Sequence, residues 1–320
     1  MNAGRNVRRV GALLLTLAAV AAANGSVEAG RSEGTFPGRR VGAEVVPEPA
    51  GAEAVQLETG GGRIGWANRS KSTCLVSLWN HRRDLDPTPL VAELGFNLIW
   101  SHDPADSGQA WEETHMYRLL QIPGVYFVLA KVERAAWGWT HEDSLRHARW
   151  VAELSRDHPG ILGIYLNDFY DEIEEGHRTE EQWREIIAAA RRVNPALQLW
   201  VPHYPHRDQG RHAFDFDIDG VILNLWGNDP ALLARAEEHL EAALLHHPGR
   251  PVIAGLYLRA GPDGGRWLTE GEFRRVLGLY VELVNQGRLA GLRIFAAYQF
   301  EERPEYIGWA KEVLAGLTCR

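Results

Sequence analysis

The chain reads as an α/β protein built as a closed (β/α)8 TIM barrel, and three observations carry that reading. Between Thr73 and Arg320, short apolar runs alternate eight times with helix-like segments, the pattern of a parallel sheet. The runs end abruptly in polar and aromatic residues, as expected where strands present a site at their C-terminal ends. The region is about 250 residues long, the size of one barrel. A doubly wound open sheet is the alternative arrangement of the same units.

Taken in order, Cys74 to Trp79 is the first strand, ending in Trp79-Asn80-His81, followed by a short helix from Pro89 to Leu94. Phe96 to Trp100 is the second, ending in Ser101-His102-Asp103, with a helix over about Ala110 to Leu120. Val125 to Ala130 delivers Lys131 and Glu133, with Trp137 and Trp139 in the loop beyond. Leu145, Ala148, Val151, Ala152 and Leu154 make one apolar face of a helix over His141 to Arg156. The fourth strand opens after the turn signal Pro159-Gly160 and runs into Asn167-Asp168-Phe169-Tyr170-Asp171-Glu172. Thr179-Glu180-Glu181-Gln182 then starts a helix with a capping signature.

Leu197 to Val201 is the fifth strand, ending in His203, Tyr204 and His206; Arg207 to Ile218 has no helical period. Gly220 to Leu225 is the sixth, bringing Asn224 and Trp226, and Asp229-Pro230 opens a helix reaching His246. Pro251 to Leu256 is the seventh, ending in Tyr257 and Arg259 before a glycine-rich loop at Gly261 to Gly265. A helix covers Thr269 to Gln286. Leu292 to Ala297 is the eighth strand, ending in Tyr298, Gln299 and Glu301, and Pro304 to Leu317 is the closing helix.

Residues 1–29 read as a secretory signal peptide. Arg5, Arg8 and Arg9 precede an apolar run from Val10 to Ala23, with small-residue cleavage sites after it. Arg8-Arg9 also fits twin-arginine export. Residues 30–72 are rich in Gly, Pro and Glu and read as a linker and irregular lead-in, leaving 73–320 as the barrel domain. The expected location is secreted or periplasmic. Cys74 and Cys319 are the only cysteines. Strand 1 and the last helix meet at the bottom of a closed barrel, so a disulfide between them is expected in an oxidising compartment. The net charge of −8 argues against nucleic acid, and no later stretch is apolar enough to span a membrane. A monomer is expected.

The strand ends together offer Trp79, Asn80, Trp100, His102, Lys131, Asn167, His203, Tyr204, Asn224, Trp226, Tyr257, Arg259, Tyr298 and Gln299. Flat aromatic faces suit the C–H face of a sugar ring, and amides, His and Arg suit its hydroxyls. Single members of this set can equally be packing residues. Glycosidic hydrolysis usually needs two carboxyl groups. Asp168 is the best-placed acid, although Asn167 and Asp168 can also be read as caps of the next turn. Glu301 is its expected partner, with Glu133 and Asp171 as competitors; Glu172 reads as a solvated helix-entry charge.

Gly163 to Phe169 resembles the fourth strand of barrel glycoside hydrolases, where an Asn precedes the acid/base residue. It also resembles exported, poorly characterised glycoside hydrolase-like barrels carrying a Gly-Ile-Tyr-x-(Asp/Asn)-Asp-Phe pattern. The resemblance implies hydrolysis of an oligo- or polysaccharide with Asp168 as the acid. Two departures stand out: Asp in place of the usual Glu, and a strand 7 that ends in Tyr257 and Arg259 with no carboxylate nucleophile. Inversion, or a substrate-assisted route with Asn167 orienting a 2-acetamido group, therefore stands beside the retaining scheme.

Other chemistries fit less well. A metal-dependent amidohydrolase needs His-x-His on strand 1, where Trp79-Asn80-His81 stands, so neither metal nor other cofactor is expected. A Schiff-base role for Lys131 and a phosphate-binding role for the glycine-rich loop have plainer alternatives in ion pairing and in a lid. No Gly-x-Ser-x-Gly motif supports a serine nucleophile. A barrel that binds glycans without turning them over is the non-enzymatic alternative.

Overall fold

The computed structural model describes residues 74–80, 85–102, 110–130, 135, 138–204, 216–225, 230–259 and 265–318, without the side chains of 102, 129 and 130. The signal-peptide and linker segments, Lys131, Glu133, Trp226, most of the glycine-rich loop and Cys319 lie outside these residues.

Eight parallel strands close into a barrel in sequence order. They are β1 (Leu75–Asn80), β2 (Leu98–His102), β3 (Tyr126–Ala130), β4 (Ile161–Tyr165), β5 (Gln198–His203), β6 (Gly220–Leu225), β7 (Val252–Tyr257) and β8 (Gly291–Phe295). The closing seam pairs Leu75 with Gly291 and Trp79 with Phe295. The helices are α1 (Thr88–Leu94), α2 (His115–Leu120), α3 (His141–Asp157), α4 (Phe169–Glu174), α5 (Glu180–Val193), α6 (Pro230–Ala234), α7 (Ala236–His246), α8 (Glu270–Asn285), α9 (Ala297–Glu302) and α10 (Glu305–Leu314). None is long and apolar enough to cross a membrane.

Local chemistry sets the helix starts. Thr140, Thr179 and Thr269 each accept a hydrogen bond from the backbone N–H three residues on, while Asp143, Gln182 and Glu272 reach back. These are complete capping boxes. The helix expected from Pro230 to His246 is broken at Arg235 into α6 and α7. The eighth strand stops at Phe295, and the residues that follow coil into α9 instead of prolonging it.

Two apolar layers result. The larger lies between sheet and helices and includes Leu78, Ile99, Phe127, Ile164, Val201 and Leu223. The smaller fills the barrel with Leu75, Trp79, Leu98, Trp100, Val128, Tyr165, Trp200, Ile222 and Ile253. Large rings inside need small neighbours. A Cβ on Gly220 would stand 2.3 Å from the Trp200 ring, and one on Gly255 would stand 2.7 Å from Asn224 Oδ1. Both glycines leave their places to side chains from other strands.

Glu172 is the sharpest departure from the sequence reading: it is completely buried, not solvated. Its Oε2 accepts from Arg178 Nε at 3.2 Å and from the Ala135 backbone N–H at 2.9 Å. Arg178 in turn lies over Trp183. The pair ties the segment after β3 to the end of α4. Removing one partner leaves the other charged and buried, so Glu172→Ala should lower unfolding free energy in urea by about 3–5 kcal/mol. Glu172→Leu combined with Arg178→Met should cost clearly less.

Candidate functional site

Strand alternation decides which strand-end residues face the barrel and which face the helices. Tyr165, Asn224, Tyr257 and Arg293 face inward near the C-terminal ends of β4, β6, β7 and β8. Tyr204, one residue beyond β5, joins them, and all five are buried. Trp79 stacks on Phe295 at 5.7 Å and meets Tyr165 edge-on at 5.4 Å. Trp100 meets both Tyr165 and Trp200 edge-on and belongs to the floor.

Asp168 stands at the rim. It has φ 49 and ψ 30, the left-handed region, and among the described residues it is the one non-glycine residue there. Asp tolerates this conformation better than most residues but not without strain. It precedes α4 in the N-cap position, and the Glu172 backbone N–H bonds to its carbonyl at 3.0 Å. Its side chain makes no capping bond. Instead Oδ1 accepts from the Tyr204 hydroxyl at 3.0 Å, and Oδ2 accepts from Asn167 Nδ2 at 3.3 Å. The cap reading thus holds for the backbone and not for the carboxylate. The left-handed residue also answers a problem of parity, because it frees Asn167 and Asp168 from the strict alternation of a strand.

The three phenols are held protonated. Burial pushes Tyr165 up to about 12; the Arg293 guanidinium opposes the shift and the Asp168 charge adds to it. Burial likewise raises Tyr257, again with Arg293 opposing. Tyr204 is raised by burial and then by its neighbours Tyr257 and Asp168. At ordinary pH each is therefore a hydrogen-bond donor rather than a phenolate.

Arg293 escaped the sequence reading. Its guanidinium lies 5.2 Å from the Trp79 ring centre, 5.5 Å from Trp100 and 5.6 Å from Tyr165. Its Nη2 donates to Asn224 Oδ1. The available signal was an Arg in an inward position of an otherwise apolar strand.

Other expected residues are placed differently. His203 points to the helix layer, where its Nδ1 lies 2.9 Å from His247 Nε2 at the end of α7. Asn80 is turned to Leu85 O and His115 Nε2, at 3.1 and 3.2 Å, and so ties the top of β1 to the following segments. Arg259 lies over Trp267 and pairs with Glu302 at 3.5 Å. Tyr298 packs against the inner cluster and accepts from Gln299 Nε2 at 3.1 Å. Glu301 is exposed on α9, whose buried side is Ala297, Gln299 and Phe300. The physical reason is the switch from strand to helix at Ala297, which removes Glu301 from the alternation that would have aimed it. Asp171 is buried in the first turn of α4. For His102 only the backbone, at the end of β2, is described. No group of three His, Cys, Asp or Glu among the described residues is arranged to hold a metal.

The histidine pair gives this part of the fold an acid limit. One ring must donate and the other accept, so both cannot be charged. Burial pushes His247 down to about 3, helped by His203, Arg250 and His246. Its folded value lies below the unfolded 6.5, so the native state binds fewer protons in this range. The contribution is complete above 6.5 and is lost as pH falls towards about 3. His247→Gln should flatten the fall of the thermal midpoint over that interval relative to the unmodified protein.

No family model and no curated protein matches the chain. Solved structures do resemble it. A β-glucuronidase from Bacteroides uniformis aligns with TM-score 0.52 and 15% identity, over 70% of this chain and 30% of the other. A class V chitinase from Cycas revoluta in complex with (GlcNAc)3 gives 0.52 and 15%, over 75% and 99%. A chitinase from Chromobacterium violaceum gives 0.50 and 14%, over 76% and 99%. The chain thus spans about 30% of the glucuronidase's length and nearly all of either chitinase. At these identities the likeness is one of fold alone, that of a closed (β/α)8 barrel.

Proposed function

We propose that this chain is a glycoside hydrolase in which Asp168 is the general acid. The observation that carries the reading is the geometry of Asp168. A strained left-handed residue at a strand's C-terminal end keeps its carboxylate off the helix it precedes and holds it against Tyr204. Strain of about 1–3 kcal/mol is retained at a position where capping would have used the same side chain without it. The fold shared with chitinases and a glucuronidase supports the assignment of reaction class.

The two carboxylate oxygens have separate duties. Tyr204 holds Oδ1 and fixes the rotamer. Oδ2, beside the Asn167 amide, carries the proton to the glycosidic oxygen. As the anomeric C–O bond breaks, its electron pair leaves with that oxygen, which takes the Asp168 proton. The described residues offer Tyr257 at the end of β7, where a retaining enzyme would place a carboxylate. A route with one enzyme carboxyl group suits this arrangement. The carbonyl oxygen of the sugar's own 2-acetamido group bonds to the anomeric carbon, and Asn167 orients that group. Water then opens the intermediate and returns a proton to Asp168. The (GlcNAc)3 of the Cycas revoluta structure carries such groups, so N-acetylated oligosaccharides are the substrates of choice. Aromatic rings at the mouth supply the stacking faces.

Asp168→Asn keeps a side chain that tolerates the left-handed region and accepts from Tyr204. It should fold as before and still bind its glycan, with turnover cut by about 10²–10⁴. Unchanged turnover of an N-acetylglucosaminide with a poor leaving group would remove Asp168 from the role. Binding without turnover in both proteins would favour the alternative of a non-catalytic glycan-binding barrel, which a strand 7 ending in Tyr257 and Arg259 also fits.

Export and a disulfide belong to the same reading. Among the described residues no cysteine is free, and Cys74 lies immediately before β1. A Cys74–Cys319 bridge closes nearly the whole barrel domain into one loop, a constraint of about 4–5 kcal/mol on the unfolded chain. Thiol titration of the unfolded, unreduced protein should find no free thiol; two would dismiss the bridge.

A further inference from the structure

We propose that the barrel interior binds a small monovalent anion, a halide, against the guanidinium of Arg293. The inference stands on buried donor groups and does not depend on the reading of Asp168 as an acid.

The case begins with a cation that the surrounding side chains do not neutralise. Arg293 is 1% exposed, and a guanidinium stays charged at any ordinary pH. Its Nη2 donates to Asn224 Oδ1, while Nε and Nη1 have no hydrogen-bond partner. Among the described residues no carboxylate forms an ion pair with it. Tyr165, with its ring centre 5.6 Å from the guanidinium carbon, does not supply a phenolate, because burial holds it protonated. Cation–π contacts with Trp79, Trp100 and Tyr165 offset only part of the cost of taking the charge out of water.

The neutral groups around Arg293 share its imbalance. Asn224 is wholly buried, and its Nδ2 has no partner. Turning the amide round is no remedy, since Nδ2 would then face Arg293 Nη2, donor against donor. Trp100 Nε1 is a further unpartnered donor, on a wholly buried ring centred 5.5 Å from the guanidinium carbon. Ser77, paired with Arg293 across the β1–β8 seam, donates its hydroxyl to Leu292 O at 2.8 Å. The unpartnered polar atoms of Arg293, Asn224 and Trp100 are therefore all N–H groups in want of an acceptor. Buried groups in that state call for an ion or a water. Water would bring lone pairs without charge, whereas an anion brings both.

The character of the anion follows from burial. Every one of these donors belongs to a residue 1% exposed or less, so the occupant has to fit wholly inside the barrel. A spherical, weakly hydrated halide meets that condition better than a carboxylate carried on a sugar ring. Gly255, the neighbour of Arg293 on β7, keeps the Nε side free of a side chain. A Cβ there would stand 3.6 Å from Arg293 Nε and 2.7 Å from Asn224 Oδ1.

The test follows the halide. The protein is dialysed into sodium gluconate, and sodium bromide then replaces gluconate at constant ionic strength while the thermal midpoint is read. The midpoint should rise saturably, by about 5–10 °C at a hundredfold excess over the dissociation constant. Trp100→Phe keeps the ring and removes one donor, so the dissociation constant should grow about tenfold. Arg293→Met should abolish the bromide dependence. Crystals grown in bromide should show an anomalous scattering peak in contact with Arg293. The absence of a saturable rise in the unmodified protein overturns the proposal, and so does a rise that persists in a folded Arg293→Met. If Arg293→Met does not fold, the crystals decide: bromide found only elsewhere is an adventitious ion only, and the site is dismissed. Stabilisation by sodium glucuronate with none by bromide also overturns the proposal, since it would give Arg293 to the carboxylate of a larger ligand.

Discussion

A guanidinium sealed inside a closed barrel is the constraint on which the interior depends. Arg293 cannot reach water, so its surroundings have to supply what solvent would. Aliphatic residues would fill the same volume and leave the charge bare. Trp79, Trp100 and Tyr165 present electron-rich faces, and Asn224 presents an amide oxygen. The aromatic character of the floor follows from that need. Trp200 has to share the same cavity, which Gly220 makes room for. The aromatic residues that read in sequence as sugar platforms are thus partly committed elsewhere: Trp79 and Trp100 are buried around the guanidinium, whereas Phe295 and Tyr298 are half-buried.

The fold was legible because its signals are periodic and repeated. Eight strand runs, their pairing order and the capping box at Thr179 all follow from patterns a few residues long, and the barrel forms as that pattern implies. The site was less legible, for reasons that differ by residue. Strand parity was available in the sequence and separates His203 from Tyr204, yet both stood in the same list of strand ends. The end of β8 was not available: Leu292 to Ala297 looks like a single run, and only the tertiary structure shows a helix beginning at Ala297 and carrying Glu301 to the surface. Glu172 next to Asp171 looks like an ordinary charged helix start. Its burial depends on Arg178 six residues later and on the Ala135 amide far earlier in the chain.

Asp168 is where a local rule fails in this fold. Propensity favours a short polar residue before a helix so that its side chain can cap. Here the residue type agrees with the rule while the conformation does not. Agreement among levels is what specifies a fold, and disagreement held in place by surrounding structure marks a site. The holding is visible: the Tyr204 hydroxyl on one carboxylate oxygen, the Asn167 amide by the other, and a carbonyl committed to α4.

Around these two features the phenols of the interior add no charge. Tyr165, Tyr204 and Tyr257 remain protonated because they are buried, so strands β4 to β7 present hydroxyl donors there rather than phenolates. Tyr204 spends its hydroxyl on the Asp168 carboxylate, and Arg293 is met by aromatic faces and the Asn224 amide. Neutral groups from neighbouring strands thus hold the β4 turn on one side and the β8 guanidinium on the other, because a closed barrel leaves buried polar atoms no water to turn to.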